Sequence, residues 1–170
     1  IPLETFSKVV ESIYDCALNP NRWLDTAGMI AQLVGAEDCL LGVHDMKNVH
    51  HGVMFQRGVE ESYVRLYVEK YAALNPHSVP LQLVPVGKVV TDGMLLDEQE
   101  FLRSRFYQEF MKPQGIFEAI GFSVLRTEQR MGWLAANRLQ GQPRYGDAEV
   151  RLLTLLSPHV CRAITISDAL

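Results

Sequence analysis

The period of the hydrophobic residues in segment 116–139 constrains the fold of this chain more than any other feature. The pattern there repeats every two residues, which is the period of a β-strand. Ile120, Phe122 and Val124 share one face, and smaller residues alternate with them. The polar turn 127–130 is followed by a second segment that also has two apolar faces. This pattern predicts a hairpin at the centre of a sheet that is covered on both sides.

Small residues are concentrated in the two strands of this hairpin. They are Ala119, Gly121, Ser123, Gly132, Ala135 and Ala136. Since protein interiors are close-packed, something must fill the space that these residues leave. A helix that approaches the sheet closely is one explanation. A bound small molecule is the other, and the function depends on which of them applies.

The rest of the pattern predicts helices at both ends of the chain and three further strands. The expected strands are 39–46, 53–56 and 88–91, and the expected helices are 6–17, 23–34, 60–74, a fourth from Asp97 through Phe101, Phe106 and Phe110, and a last one from Asp147. Pro158 predicts that the last helix is kinked or divided. These elements predict an α+β fold of the PAS and GAF type, a three-layer sandwich with a five-stranded, mainly antiparallel sheet between N- and C-terminal helices.

Length and composition favour a single cytoplasmic domain over residues 1–170. The net charge is −4 and no Lys/Arg cluster occurs, so we do not expect this chain to bind DNA by itself. No apolar run is long enough to span a membrane, and we expect no membrane partner. The three cysteines are widely spaced, which argues against a disulfide framework and a zinc ribbon.

Aromatic residues at helical spacing are the candidate wall of a ligand site. Three tyrosines recur every four residues in the third helix, and two phenylalanines follow in the fourth; they are Tyr63, Tyr67, Tyr71, Phe106 and Phe110. Tyrosines exposed at the surface would give the same pattern, but a row of them also suits a cavity of mixed polarity. Phe55, Phe122 and Trp133 are the candidates on the sheet side, and Asn75 is the candidate polar anchor.

The known catalytic and cofactor motifs are absent, and we predict neither an enzyme nor a cofactor. The sequence contains no GxSxG, P-loop or GxGxxG motif. His44, His50 and His51 suggest a metal site, but adjacent residues point apart and we expect no metal. An uncharacterised enzyme would need titratable groups such as His44, Asp45 and His51 to converge in a cavity.

The last helix carries two apolar lines. One line, which includes Leu153 and Leu156, can cover the sheet. The other includes Leu152, Leu155 and Ile166, and we predict that it forms a homodimer interface. The alternative is that both lines are buried within one subunit.

Four stretches of the sequence resemble one known family. They are residues 13–23, Tyr67 and Tyr71 before Leu74-Asn75-Pro76, residues 106–110 before Pro113-Gln114-Gly115, and the hairpin end Leu134-Ala135-Ala136-Asn137-Arg138. Together they resemble the N-terminal sensory domain of LuxR-type transcriptional regulators. The resemblance implies a ligand between sheet and helices, and DNA binding through a helix-turn-helix domain that is not part of this chain.

Quorum-sensing members of that family bind acyl-homoserine lactones. In them, an Asp before a proline holds the amide of the signal. The matching position here is Asn75, and the tryptophans expected nearby are absent. An Asn can bond an amide, but without the strength that the charge of a carboxylate gives.

The sequence therefore predicts a ligand-sensing, dimerising domain of a transcriptional regulator, which binds an unidentified small-molecule effector. A ligand-free interaction module of PAS/GAF type is the alternative, and it predicts an interior filled by the chain's own side chains.

Overall fold

The computed structural model describes residues 1–48 and 52–169, and its centre is a five-stranded antiparallel sheet. The strands lie in the order β2-β1-β5-β4-β3. Their bounds are β1 Asp38–Asp45, β2 Val53–Arg57, β3 Val90–Thr91, β4 Ile116–Arg126 and β5 Arg130–Leu139. The β4–β5 hairpin occupies the interior of the sheet, as the sequence predicts. The period-two segments form strands because alternate residues are buried on opposite faces.

Helices cover both faces of this sheet. The α-helices are α1 Leu3–Leu18, α2 Trp23–Val34, α3 Glu61–Leu66, α4 Ser78–Leu81, α5 Asp92–Leu95, α6 Glu98–Arg103 and α7 Asp147–Ala169. α1, α2 and α7 pack on one face, and the helices between β2 and β4 lie over the other. The expected α+β three-layer sandwich of PAS/GAF type is thereby confirmed. Among the residues described, no helix is long and apolar enough to cross a membrane.

The layer on the α1, α2 and α7 side is a filled hydrophobic core. Trp23 and Ile30 of α2 and Leu153 and Leu156 of α7 are at most 1% exposed. They meet the alternating sheet residues Leu41, Ile120, Phe122, Val124 and Leu134. Burial and close packing of these side chains stabilise the fold.

The third helix differs from its prediction. Instead of one helix over 60–74, α3 continues as a π-helical turn, Tyr67–Tyr71, and ends in a 3₁₀ turn, Ala72–Leu74. Residues four apart drift by about 40° around a regular α-helix. The wider π turn offsets this drift, so the three tyrosines of the row keep a common direction.

The fourth helix is also interrupted. α6 ends at Arg103 because Ser104 is extended, with ψ 149°. The Ser104 hydroxyl accepts a bond from the Tyr107 N–H, at 3.1 Å, and so caps the helical segment that begins at Arg105 and continues as the π-helical turn Tyr107–Met111. A serine that bonds to nearby backbone competes with helix continuation.

The sequence predicts that Pro158 kinks or divides the last helix; the division is wrong, and the kink stays a prediction. α7 is continuous from Asp147 to Ala169 and contains Pro158. The proline lacks the N–H that would bond to the Thr154 carbonyl. The Ser157 hydroxyl lies 3.2 Å from that carbonyl, but its single proton is shared with the Gly87 carbonyl, which is closer at 2.8 Å.

A buried carboxyl, that of Asp38, lies where β1 meets β5. Its side chain accepts a bond from Asn137 Nδ2 at 2.6 Å, and the residue is 6% exposed. Desolvation raises the pKa of Asp38 to about 6, against the opposing effect of the Asn137 bonds. The folded chain therefore binds a proton here more tightly than the unfolded chain does.

The Asp38→Asn variant tests this carboxyl. Because its folded pKa is raised, Asp38 lowers stability as pH rises from about 4 to above about 6. We expect the variant to lose this part of the pH dependence and to be more stable at neutral pH by on the order of 2 kcal/mol. Urea denaturation at acidic and neutral pH measures the difference. Asp25→Asn, whose side chain is 81% exposed, is the control, and an equal response of both variants would contradict the assignment.

Candidate ligand-binding cavity

A cavity of about 550 Å³ lies between the sheet and the helices opposite α1, α2 and α7. Its wall is mostly apolar, with a few polar groups, and its volume is in the range of small-molecule sites. Residues of the sheet that line it include Leu40, Ala119, Ser123, Met131, Trp133 and Ala135, and residues of the helical side include Tyr63, Tyr67, Leu81, Phe106 and Phe110.

The small residues of the hairpin lie mainly on the cavity face. Ala119, Gly121, Ser123 and Ala135 are on the cavity face, whereas Gly132 and Ala136 are on the other face, where a Cβ added to Gly132 would meet the side chains of Val43 and Val124. The two glycines have a second role. A Cβ added to Gly121 would lie 2.2 Å from the Leu134 carbonyl oxygen, and one added to Gly132 would lie 2.7 Å from a methyl group of Val124. The space in the cavity therefore comes chiefly from Ala119, Ser123 and Ala135.

Five aromatic side chains cover the cavity, and we call them the aromatic roof: Tyr63, Tyr67, Tyr71, Phe106 and Phe110. Phe110 is at its centre. Its ring centroid lies 6.1, 5.8 and 5.0 Å from those of Tyr63, Tyr67 and Tyr71, and 5.3 Å from that of Phe106. Edge-to-face and offset contacts of this kind favour a fixed arrangement of the rings.

Tyr71 belongs to the roof but not to the cavity wall. It is 6% exposed, stacks on Phe110 and donates its hydroxyl proton to Glu109 at 3.2 Å. Tyr63, Tyr67, Phe106 and Phe110 line the cavity as the sequence predicts. Their role in binding a ligand stays a prediction.

Of the three aromatic residues expected on the sheet side, Trp133 faces the cavity. Its ring lies 6.0 Å from that of Tyr67, between centroids. It has room because its register partner is Gly42, where an added Cβ would lie 3.0 Å from the indole. Trp133 thus connects the sheet to the aromatic roof.

The placement predicted for Phe55 and Phe122 is wrong. Phe55 pairs with Leu41 and packs against the α1–α2–α7 core. Phe122 pairs with Leu134, and its ring is 1% exposed in the same core, although the residue borders the cavity at the level of the sheet. Cross-strand partners share a face, so both side chains follow their core neighbours.

A chain of hydrogen bonds connects the aromatic roof to β4. Asn75 Nδ2 donates to the Tyr67 hydroxyl at 3.2 Å, and Asn75 Oδ1 lies 2.7 Å from His77 Nδ1. His77 Nε2 lies 2.5 Å from Asp92 Oδ1, and Asp92 Oδ2 accepts a bond from the Ala119 N–H at 2.9 Å. Sequence reasoning missed His77 and Asp92, because no motif indicates that they meet.

These hydrogen bonds limit the number of donors and acceptors that the Asn75 side chain can offer to a ligand. Its oxygen is engaged by both the backbone N–H and the ring of His77, and its NH₂ group already donates to Tyr67. One N–H of Asn75 remains for a ligand. Burial raises the pKa of Tyr67, so its hydroxyl stays neutral and able to hydrogen-bond. Asn75 lines the cavity, and its role as polar anchor stays a prediction.

Arg126 is a cationic residue in the cavity wall that sequence reasoning also missed. It is the last residue of β4. Its Nη2 donates to the carbonyl oxygens of Leu81 and Val84, at 2.8 and 3.0 Å. Its Nε is buried, and residues 1–48 and 52–169 offer it no hydrogen-bond partner. A charged residue at the end of an apolar strand does not by itself predict a place in a cavity wall, because that position commonly faces water.

The histidine predictions fall partly outside the described residues, since His50 and His51 are not described. Among the residues that are described, no group of three His, Cys, Asp or Glu side chains could hold a metal ion. His44 and Asp45 line the cavity, and burial lowers the pKa of His44.

The side chains predicted to form a dimer interface lie on the outer side of α7. Leu155 is 56% and Ile166 44% exposed, whereas Leu152 is partly buried against the core. Leu152 and Leu155 line a shallow groove together with Leu3, Phe6 and Leu33. The second apolar line is therefore not wholly covered within the chain, and its role in dimers stays a prediction.

The sequence matches no protein-family model, and no curated protein matches it. Solved structures do match. The VqsR LBD domain from Pseudomonas aeruginosa is 14% identical with a TM-score of 0.74, over 98% of this chain and 95% of that one. The N-acylhomoserine lactone dependent LuxR family transcription factor CepR2 from Burkholderia cenocepacia is 12% identical with a TM-score of 0.65, over 94% and 93%.

The phycoerythrobilin-bound GAF domain of a cyanobacterial phytochrome is also similar. It is 12% identical with a TM-score of 0.64, over 99% of this chain and 98% of that domain. The chain therefore has the fold that LuxR-family ligand-binding domains share with GAF domains. This agrees with the resemblance seen in the sequence motifs.

Neighbouring alanines on the two faces of β5 provide a test of the cavity. We expect Ala135→Phe to change the free energy of unfolding by less than about 1 kcal/mol, because its ring enters open space. Ala136→Phe, one residue away in the filled core, should destabilise by about 3 kcal/mol. Urea denaturation compares the two. Equal destabilisation would mean that the cavity face is as tightly packed as the core.

Proposed function

We propose that this chain is the small-molecule-sensing domain of a LuxR-type transcriptional regulator. The observation that carries the proposal is the cavity of about 550 Å³ beneath the aromatic roof. Close-packed proteins rarely keep a space of this size unless something occupies it. The ligand would lie between the sheet and the roof, in contact with Tyr63, Tyr67, Phe106 and Trp133.

The similar structures support a role in ligand binding. CepR2 is described as dependent on N-acylhomoserine lactone, and the phytochrome GAF domain holds phycoerythrobilin. Proteins with this fold thus bind chemically different ligands. The cavity of this chain has Asn75 as polar anchor in place of the family's Asp, which favours a ligand other than the common lactones.

A ligand-free interaction module is the alternative function. It predicts an interior filled by the chain's own side chains, as the α1–α2–α7 side is. The open space on the other face of the sheet favours the small-molecule-sensing function. The apolar line at Leu155 and Ile166 is compatible with either function, because a receptor of this kind would also form dimers.

In the proposed regulator, ligand binding in the cytoplasm controls DNA binding through the geometry of a homodimer. A ligand shifts a conformational equilibrium only by its difference in affinity for the two states. In this proposal, a ligand that contacts both the aromatic roof and the sheet would bind more tightly to the conformation in which the two are held together. The attached helix-turn-helix domains would be spaced by the dimer.

Native mass spectrometry of the freshly purified chain tests the ligand directly. We expect an added mass that is retained under gentle ionisation and lost under denaturing conditions. Ala135→Phe, whose ring occupies the cavity, should lack it. Ala148→Phe, at an exposed position on α7, should retain it. A wild-type chain that carries no added mass and binds no small molecule in calorimetry would contradict the sensing function.

The dimer interface is tested by Leu155→Glu. Leu155 is 56% exposed, so the change should leave the fold intact but bury a charge at the proposed interface. We expect dimers in the wild type and monomers in the variant, measured by analytical ultracentrifugation. Leu83→Glu is the matched control, because Leu83 is 85% exposed and lies outside α7. A monomeric wild type, or a dimeric Leu155 variant, would rule out this interface.

A further inference from the structure

We propose that Arg126 binds the anionic group of the ligand, and that the ligand is an amphipathic carboxylate with an apolar body. This inference rests on the proposed function, since it names the chemical class of the molecule in the same cavity. It assigns the carboxylate to the Arg126 end and the apolar body to the aromatic roof.

The hydrogen bonds of Arg126 leave part of its guanidinium unused. Its three bonds all come from Nη2, to the carbonyls of Leu81 and Val84 and to the Ser123 hydroxyl, the last at 3.3 Å. Nε is buried and has no hydrogen-bond partner among the residues that the structure describes. A guanidinium has five N–H donors in one plane, so it can hold these oxygens and still donate to a further acceptor.

The ion pairs of the chain set Arg126 apart from the other arginines. In the parts of the chain that the structure describes, Arg22, Arg57, Arg105, Arg130, Arg138 and Arg144 each have a carboxylate within 4.0 Å. Four arginines without one, Arg65, Arg103, Arg151 and Arg162, are exposed to water. Among the described residues, Arg126 alone is both partly buried and without a carboxylate partner.

The two carboxylates of the cavity wall, those of Asp92 and Asp45, bond to other groups. Asp92 bonds to His77 and to the backbone N–H of Ala119. Asp45 lies on β1, which β5 separates from β4, and it accepts bonds from the backbone N–H groups of Lys47 and Asn48. A partly buried cation costs free energy unless a negative charge neutralises it.

The surroundings of Arg126 decide the class of anion. The rest of the wall consists largely of apolar and aromatic side chains, including Met131, Trp133 and Phe106. A single cation with two carboxylates in the same wall, on a chain of net charge −4, disfavours a polyanion such as a nucleotide. A planar carboxylate suits the guanidinium, and an aliphatic or aromatic body suits the remainder.

Three ligands that share one alkyl chain test this inference without a variant. We expect the delipidated wild-type chain to bind decanoate at least about tenfold more tightly than decanol in calorimetry, because only decanoate makes a charge-assisted bond. Decylamine should bind most weakly, since its charge has the same sign as that of Arg126. Equal affinity for decanoate and decanol would overturn the inference while leaving a receptor for neutral ligands.

Arg126→Gln then assigns the effect to the residue. We expect the variant to bind decanoate no more tightly than decanol, so that the ratio of the two affinities reports the loss of the charge. Arg126→Lys keeps the charge and should retain part of the preference, and Arg151→Gln, exposed on α7, should retain all of it. Weakening of both ligands alike in Arg126→Gln would mean that the arginine only supports the fold.

Two other results would also overturn the inference. One is a preference for decanoate that survives Arg126→Gln. The other is a wild-type chain that binds none of the three compounds. Neither result would contradict the sensing function, because the mass that the purified chain retains tests that function independently.

Discussion

The alternation of side chains along the β4–β5 hairpin is the constraint on which the rest of the structure depends. Residues that differ by one position face two different interiors, as Ala135 and Ala136 illustrate. On one face, Phe122 and Leu134 meet α1, α2 and α7 in a filled core. On the other face, small side chains leave a cavity. Because the filled face secures the sheet, the other face can remain open.

An open cavity needs a cover that does not collapse onto the sheet. Here the rings of the roof pack against one another around Phe110 rather than against the small sheet residues. The bonds through Asn75, His77 and Asp92 then fix the cover to β4. Two π-helical turns, one in each roof segment, direct the aromatic side chains to a common centre. The cost of the empty space is offset by these contacts at its edges.

The sequence allowed the strands, the layers and the two faces of the hairpin to be predicted, because the period of two and the positions of the turns are local signals. It grouped Ile120, Phe122 and Val124 correctly on one face. Which face borders the cavity depends on where distant helices pack, so Phe55 and Phe122 were assigned to the wrong side. The contact of His77 with Asp92 joins residues fifteen positions apart, and no motif indicates it. The interruption of the fourth helix at Ser104 involves a hydrogen bond of a single hydroxyl group, and the period of the apolar residues does not predict it.

Arg126 also connects the cavity to the helix that carries the proposed dimer interface. Its bonds to the carbonyls of Leu81 and Val84 hold the segment that leads to Gly87. The Gly87 N–H donates to the Ser123 carbonyl at 2.9 Å, and the Gly87 carbonyl accepts from the Ser157 hydroxyl of α7 at 2.8 Å. A carboxylate that bonds to the remaining donors of Arg126 would fix the guanidinium in place, and with it the two bonds to these carbonyls. The proposed ligand would therefore act on the segment that separates the cavity from α7, whereas a neutral ligand of the same shape would leave that segment unchanged.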